Sequence, residues 1–281
     1  MGDDPALREF AVEVGRPDGQ IDLARAALVV ARLEYSDLSP APYLRRLDEL
    51  AAASGRHARP AARGRDPLGQ LHRVREYLFA ELGFSGNRRD YFDPRNSFVN
   101  DVLDRRLGIP ITLSLVLIEV GRRVGLELHG IGLPGHFITG LRMGDDRILL
   151  DAFNRGRIVT AESCEAVVAK AVGRPVPLTE AHWNPVGKRQ FLARMLNNLK
   201  AVYWRREAWD KAVQVLDRML VLAPGAAVLG RDRGTALQHL GEHHRAAVEW
   251  ERYLARCPQA DDYEQVRGRL RKAREHVARL N

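Results

Sequence analysis

The chain has 281 residues, 45% of them hydrophobic and 28% charged, a composition that supports a real apolar core and about two domains. It excludes a collagen-like or wholly disordered chain, and no apolar run approaches the ~18 residues of a membrane span. The net charge of +8 includes only five lysines, which leaves 39 of the 44 basic residues as arginine, and acids alternate with them instead of leaving the basic run or face of a nucleic-acid binder.

The start, Met1-Gly2-Asp3-Asp4-Pro5, is acidic and has no apolar stretch, so a secretory signal is not expected. From Asp22, a fitting N-cap, Leu23, Ala26, Ala27, Val30 and Leu33 recur at helical spacing. Pro40 and Pro42 open a second helix with Leu44, Leu47, Leu50 and Ala51 on one face. The basic stretch from Arg56 to Arg65, rich in Gly, Pro and Ala, predicts a solvated loop. A third helix begins near Pro67 and stops at Gly83, a residue suited to the left-handed position after a helix.

The middle of the chain has a different texture. Ser97 to Leu107 predicts a short helix capped by Asn96 or Ser97. Pro110 opens a long apolar helix that Gly125 ends. Three strands follow, Leu128–Gly132, His136–Leu141 and Ile148–Asp151, with Pro134-Gly135 and Gly144-Asp145-Asp146 as turns. A helix from Glu162 to Val172 comes next, so the pattern is α+β. The last third is helical and repeats: Pro224 and Pro258, Ala212 and Ala246, and Leu216 and Trp250 are each 34 residues apart, the period of a tetratricopeptide repeat. A final helix, Tyr263 to Leu280, would cap the stack. The domain division expected from these patterns is 1–66 for the N-terminal helices, 67–184 for the α+β domain and 185–281 for the repeats.

Chemistry concentrates in the middle. A His on one strand and an Asp on the next can lie side by side across an antiparallel pair, the carboxylate orienting the imidazole so that its other nitrogen acts as a base. His136 and Asp151 are those residues, and Thr112 is the hydroxyl candidate near the start of the long helix. Asn96, Asn100, Pro110, Phe137, Phe153 and Asn154 are the candidate groove around them. Each also has a structural reading: a buried His satisfied by an Asp, an Asp that fixes the Phe153-Asn154 corner, a Thr bonded to backbone. Cys164 reads as a small buried hydrophobe and Cys257 as structural. Two cysteines point to a reduced, cytoplasmic setting. No HExxH, paired-Cys, Walker or GxGxxG pattern occurs, so neither metal nor cofactor is expected.

Helix, His-strand and Asp-strand in that order resemble the transglutaminase-like superfamily, whose papain-related core uses a Cys–His–Asp triad. Gly83-Phe84-Ser85-Gly86-Asn87, Asp93-Pro94-Arg95-Asn96-Ser97, Arg106-Leu107-Gly108-Ile109-Pro110-Ile111-Thr112, Gly132-Leu133-Pro134-Gly135-His136-Phe137, Asp151-Ala152-Phe153-Asn154 and Asn197-Asn198-Leu199-Lys200 are most similar to the bacterial invasion-regulator-like, Sir-B-type branch. That branch joins a divergent transglutaminase-like domain to C-terminal tetratricopeptide repeats. The resemblance carries over His136 and Asp151, but no cysteine stands in the long helix where the family places its nucleophile. Arg155 stands where the branch commonly has Gly, and Ala152 where it commonly has Pro. Loss of the nucleophile favours a protein- or peptide-binding regulatory module acting through groove and repeats, with no membrane and no nucleic acid among its expected partners. The alternative is an enzyme of altered amide, ester or acyl-transfer chemistry built on His136 and Asp151.

Overall fold

The computed structural model describes residues 4–55, 66–144 and 146–280. The stretch from Arg56 to Arg65 and Asp145 of the expected turn lie outside the described residues. The chain divides into two compact units, Pro17–Met195, and Met1–Arg16 with Leu196–Asn281. The division falls inside one helix, Lys188–Arg205.

The helices of the first unit begin where the sequence supplies caps. Asp22 accepts a hydrogen bond from the Arg25 N–H at 2.9 Å and starts α2, Leu23–Val30, while α1 is Pro5–Val14 in the other unit. Helix α3, Pro40–Ser54, and α4, Pro67–Arg75, each start on a proline, which gives up no intrahelical bond at that position. After α4 the chain widens into a π turn over Glu76–Glu81 that buries Leu78 and Phe79, then reverses at Gly83 with φ +76°. Helix α5 is Val99–Arg105, preceded by a 3-10 turn at Pro94–Ser97. Phe98, not Asn96 or Ser97, occupies its N-cap position. The expected cap fails because the Asn96 Oδ1, the atom that would accept a helix N–H, instead accepts from the Asn87 side-chain amide at 3.1 Å, while its NH2 donates to the carbonyls of Asp90 and Tyr91 at 2.7 and 3.2 Å.

Helix α6, Pro110–Arg123, is buried from Pro110 through Gly121. A helix apolar on every side belongs in the middle of a core, and α6 packs against α3, α4, α5 and two strands of the sheet. Each fully buried Leu or Val there contributes about 1.5–3 kcal/mol. Two short strands, β1 at Ser85–Gly86 and β2 at Leu107–Gly108, pair in parallel beside its N-terminus. The main sheet is an antiparallel meander of β3 Leu128–Leu133, β4 His136–Met143, β5 Asp146–Asp151 and β6 Arg157–Val159, in that spatial order. Alternation along β4 turns Phe137 toward Phe191, their rings 4.8 Å apart. It turns Ile138 into a cluster with Ile131, Leu133, Leu149, Cys164, Val168 and Trp183. Helix α7, Ala161–Val172, supplies Cys164 and Val168.

The second unit is helical: α1, the C-terminal part of α8 (Lys188–Arg205), α9 Trp209–Leu222, α10 Ala227–His239, α11 His243–Arg256 and α12 Tyr263–Leu280. Ala212 and Ala246 are fully buried, which lets paired helices approach closely. Trp250, also fully buried, donates its indole N–H to the Arg231 carbonyl at 3.2 Å. A Cβ at Gly234 would stand 2.7 Å from that indole nitrogen, so the second repeat needs glycine there. Helix α1, which is not among the helices expected from the sequence, packs on α9. Asp4 caps it through the Leu7 N–H and also meets the buried Arg218 guanidinium at 3.2 Å.

Candidate functional site

His136 opens β4 and Asp151 closes β5. The ladder between the strands ends at the pair Thr139–Leu150, so its continued register sets Asp151 against Ile138. His136 therefore reaches Asp151 diagonally and not from the directly opposite position that the strand pattern predicts. The contact forms all the same: His136 Nε2 lies 2.9 Å from Asp151 Oδ2, with side chains 8% and 2% exposed.

Asp151 serves two neighbours. Its Oδ1 accepts the Asn154 backbone N–H at 3.1 Å, and its Oδ2 accepts the Asn154 side-chain N–H at 2.7 Å. Burial alone would raise its pKa, but the bonds from His136 and Asn154 outweigh that and hold the carboxyl below the usual carboxylate range. An ionised carboxylate only accepts, so Nε2 carries the proton and, in the neutral ring, the lone pair sits on Nδ1. Among the described residues Nδ1 has no hydrogen-bond partner. Its ring meets the edge of Phe153, with centroids 6.5 Å apart.

Phe153 is held from the other side by β1. The Gly86 N–H donates to the Phe153 carbonyl at 3.0 Å, and a Cβ on Gly86 would fall 2.4 Å from the phenyl ring. Arg88 lies over that ring at 5.3 Å and bonds the Asn154 side-chain oxygen, and Tyr91 meets it edge-on at 6.0 Å. The stretch carrying Arg88 and Tyr91 is tied down by fully buried Asn96, which also accepts from the Asn87 amide at 3.1 Å. Arg88 and Tyr91 were missed in the sequence because nothing local marks a side chain that folds back over a residue far along the chain. Arg155, in the same corner, has φ +58°, the left-handed region that favours glycine.

The other expected site residues sit elsewhere. Thr112 is fully buried, its Oγ1 donating to the Asn96 carbonyl at 2.7 Å and accepting the Ile109 N–H at 3.2 Å. Pro110 is buried as the first residue of α6. Asn100 is buried with an unpartnered Oδ1, and Phe137 faces Phe191. Cys164 is 3% exposed, and burial, with Asp151 and Glu162 nearby, pushes its thiol up to about 11, the opposite of an activated nucleophile. No group of three or more His, Cys, Asp or Glu among the described residues is placed to hold a metal.

In the helical unit, a cavity of about 210 Å³ is lined by Pro224, Gly230, Arg233, Arg252, Tyr253 and Arg256. Arg233 is neutralised by Asp217 and Glu249 at 2.9 and 3.1 Å. Arg252 keeps 69% of its side chain exposed.

Against protein families, residues 41–197 match the model described as transglutaminase-like superfamily, over half the chain. The chain belongs to the transglutaminase-like superfamily. Residues 199–271 of this transglutaminase-like chain match the tetratricopeptide repeat model. It is 39% identical over 258 residues to a UPF0162 protein of Xylella fastidiosa, covering 90% of each chain. It is 33% identical over 195 residues to a UPF0162 protein of Vibrio cholerae, covering 69% of this chain and 72% of the other. F-box only protein 21 of Mus musculus is 32% identical over 183 residues, 61% of this chain but 28% of that one. A transglutaminase-like domain joined to tetratricopeptide repeats suggests a protein-interaction module. No helix among the described residues is long and apolar enough to cross a membrane.

Proposed function

We propose that this chain is a regulatory binding module of the Sir-B type, in which the transglutaminase-like site has lost its covalent chemistry and recognises peptide. The observation that carries this reading is at His136: no hydroxyl or thiol lies within hydrogen-bond reach of Nδ1 among the described residues. A covalent acyl mechanism needs a nucleophile bonded to its base. Thr112 spends its hydroxyl on the Asn96 carbonyl, and Cys164 is held as a neutral thiol. His136, Asp151, Phe153 and Asn154 then form a rigid polar-aromatic corner whose wall is Arg88 and Tyr91. The repeats supply the second surface, where Arg252 and Arg256 suit an acidic peptide. Recurrence of the domain within the longer F-box only protein 21 of Mus musculus also fits a portable module.

The test uses peptides selected from a displayed library on the full chain, with affinities measured by calorimetry. The expected result is binding that survives His136→Ala within about twofold, since the imidazole's base chemistry is not used, and weakens about tenfold or more both for Arg88→Ala with Tyr91→Ala, which removes the wall of the corner, and for Arg252→Glu with Arg256→Glu, as for loss of charge-assisted bonds. Binding lost on His136→Ala alone and untouched by the arginine exchanges overturns the assignment of the repeats.

A second reading has its own support, the retained His136–Asp151 pair with Asp151 ionised. Here His136 Nδ1 takes a proton from water, the hydroxide adds to an ester or amide carbonyl, and the same proton passes to the leaving group. Without a covalent intermediate the barrier is not divided, so turnover is slow.

A further inference from the structure

Strand β3 ends the sheet order, bridged to Pro185 at Ile131, and a cavity of about 640 Å³ opens beside it, within the range of small-molecule sites. Its apolar wall is Leu23 of α2, Ile118 of α6, Leu126, Leu128 and Phe191, and it shares no lining residue with the His136–Asp151 corner. All five are buried in the core, so the wall is held by the packing of α2, α6, β3 and α8.

The charges at this cavity are not evenly matched. Glu119 is already paired with Arg122 at 3.0 Å and Arg123 at 2.6 Å. His129 is pushed below the ordinary imidazole value, chiefly by burial, and is neutral at pH 7. Lys188 is different: its Nζ donates to the backbone carbonyls of Gly19 and Ile21 at 2.9 and 2.6 Å. Among the described residues no carboxylate forms an ion pair with it. An ammonium has three donors, so one N–H is left at the cavity wall, and the neighbouring Asp18 carboxylate is taken by the Lys188 and Arg189 backbone N–H groups at 2.9 and 2.8 Å and forms no ion pair with Nζ. The two carbonyls fix the head group in place, so little side-chain freedom is lost when an anion meets it.

We propose that this cavity binds a small monocarboxylate with an apolar body, its carboxylate on Lys188 and its hydrocarbon against Ile118, Leu128 and Phe191. Exposed Glu127, which lines the same cavity, disfavours a dianion such as a phosphate monoester. The site stands independently of the peptide-binding reading.

The test is a calorimetric titration of the full chain at pH 7.5 with four probes of one chain length: octanoate, octanol, octylamine and octyl phosphate. Octanoate is expected to bind about tenfold or more tightly than octanol, the scale of one hydrogen bond to a charged group, and more tightly than the other two. Lys188→Met should abolish the advantage of octanoate over octanol while octanol binding stays as it was. Ile118→Trp should fill the cavity and block both. Equal binding of octanoate and octanol to the unaltered chain overturns the proposal without any variant. So do tightest binding of octyl phosphate or octylamine, retained discrimination in folded Lys188→Met, or unchanged binding in folded Ile118→Trp.

Discussion

Replacing Thr112 by Val separates a structural hydroxyl from a chemical one, because the two side chains have nearly the same shape. In the native chain Oγ1 is fully buried between the Asn96 carbonyl at 2.7 Å and the Ile109 N–H at 3.2 Å. With the oxygen gone, those two backbone groups have only each other, at 3.4 Å. Losing a partner for a buried polar group costs about 1–3 kcal/mol, and losing a helix cap costs a similar amount, about 0.5–2 kcal/mol. The two losses describe one oxygen, so we expect about 2 kcal/mol in all. For a unit of this size, at about 2–4 °C per kcal/mol, the melting midpoint should fall by about 4–8 °C. Thermal melts followed by circular dichroism measure it directly. A variant that melts with the parent but loses a biochemical activity would refute the structural role and restore Thr112 as a reacting group.

Three further outcomes are expected. At pH 8, Ellman's reagent should label half-buried Cys257 in the native chain and reach Cys164 only on unfolding, since that thiol is buried and pushed up to about 11; equal rates for the two would contradict this. Asp151 has its pKa lowered in the folded chain, so its stabilisation is full above the unfolded value of about 3.9 and is lost as pH falls through the folded value. The stability difference between the parent and Asp151→Asn should therefore shrink below about pH 4, and a difference constant from pH 7 to pH 3 would disprove the pairing. Arg155→Gly should stabilise by about 0.5 kcal/mol, because the left-handed conformation at φ +58° costs an L-residue more than the added freedom of the unfolded glycine; a loss of that size in denaturant titrations would show that the Arg155 side chain matters more than its backbone.

Much of the architecture was legible because its signals are local. Asp22, Pro40, Pro67 and Pro110 stand at helix starts, Gly83 and Gly125 have positive φ where helices end, and the 34-residue spacing of Ala212 and Ala246 marks the small positions of two repeats. The α+β class followed from the long helix ahead of the meander. Signals that depend on partners were harder. Strand β6 has three residues, two of them exposed, and no alternation to detect. Asn96 looks like a cap in sequence, but its side-chain oxygen accepts from Asn87, which comes close only in the folded loop. The same holds at the site: His136 and Asp151 were visible from strand order, while their diagonal meeting depends on register, and Arg88 and Tyr91 on a loop folded over Phe153.

The most direct test of the central claim is turnover. The parent chain, Asp151→Asn and His136→Ala would be incubated with aryl esters, acyl thioesters and glutamine peptides, and product release followed over hours at pH 7.5. The binding-module account predicts rates for all three proteins that match one another and the buffer background. Hydrolysis or acyl transfer by the parent that falls at least about tenfold in both folded variants would show His136 acting as a base and contradict it.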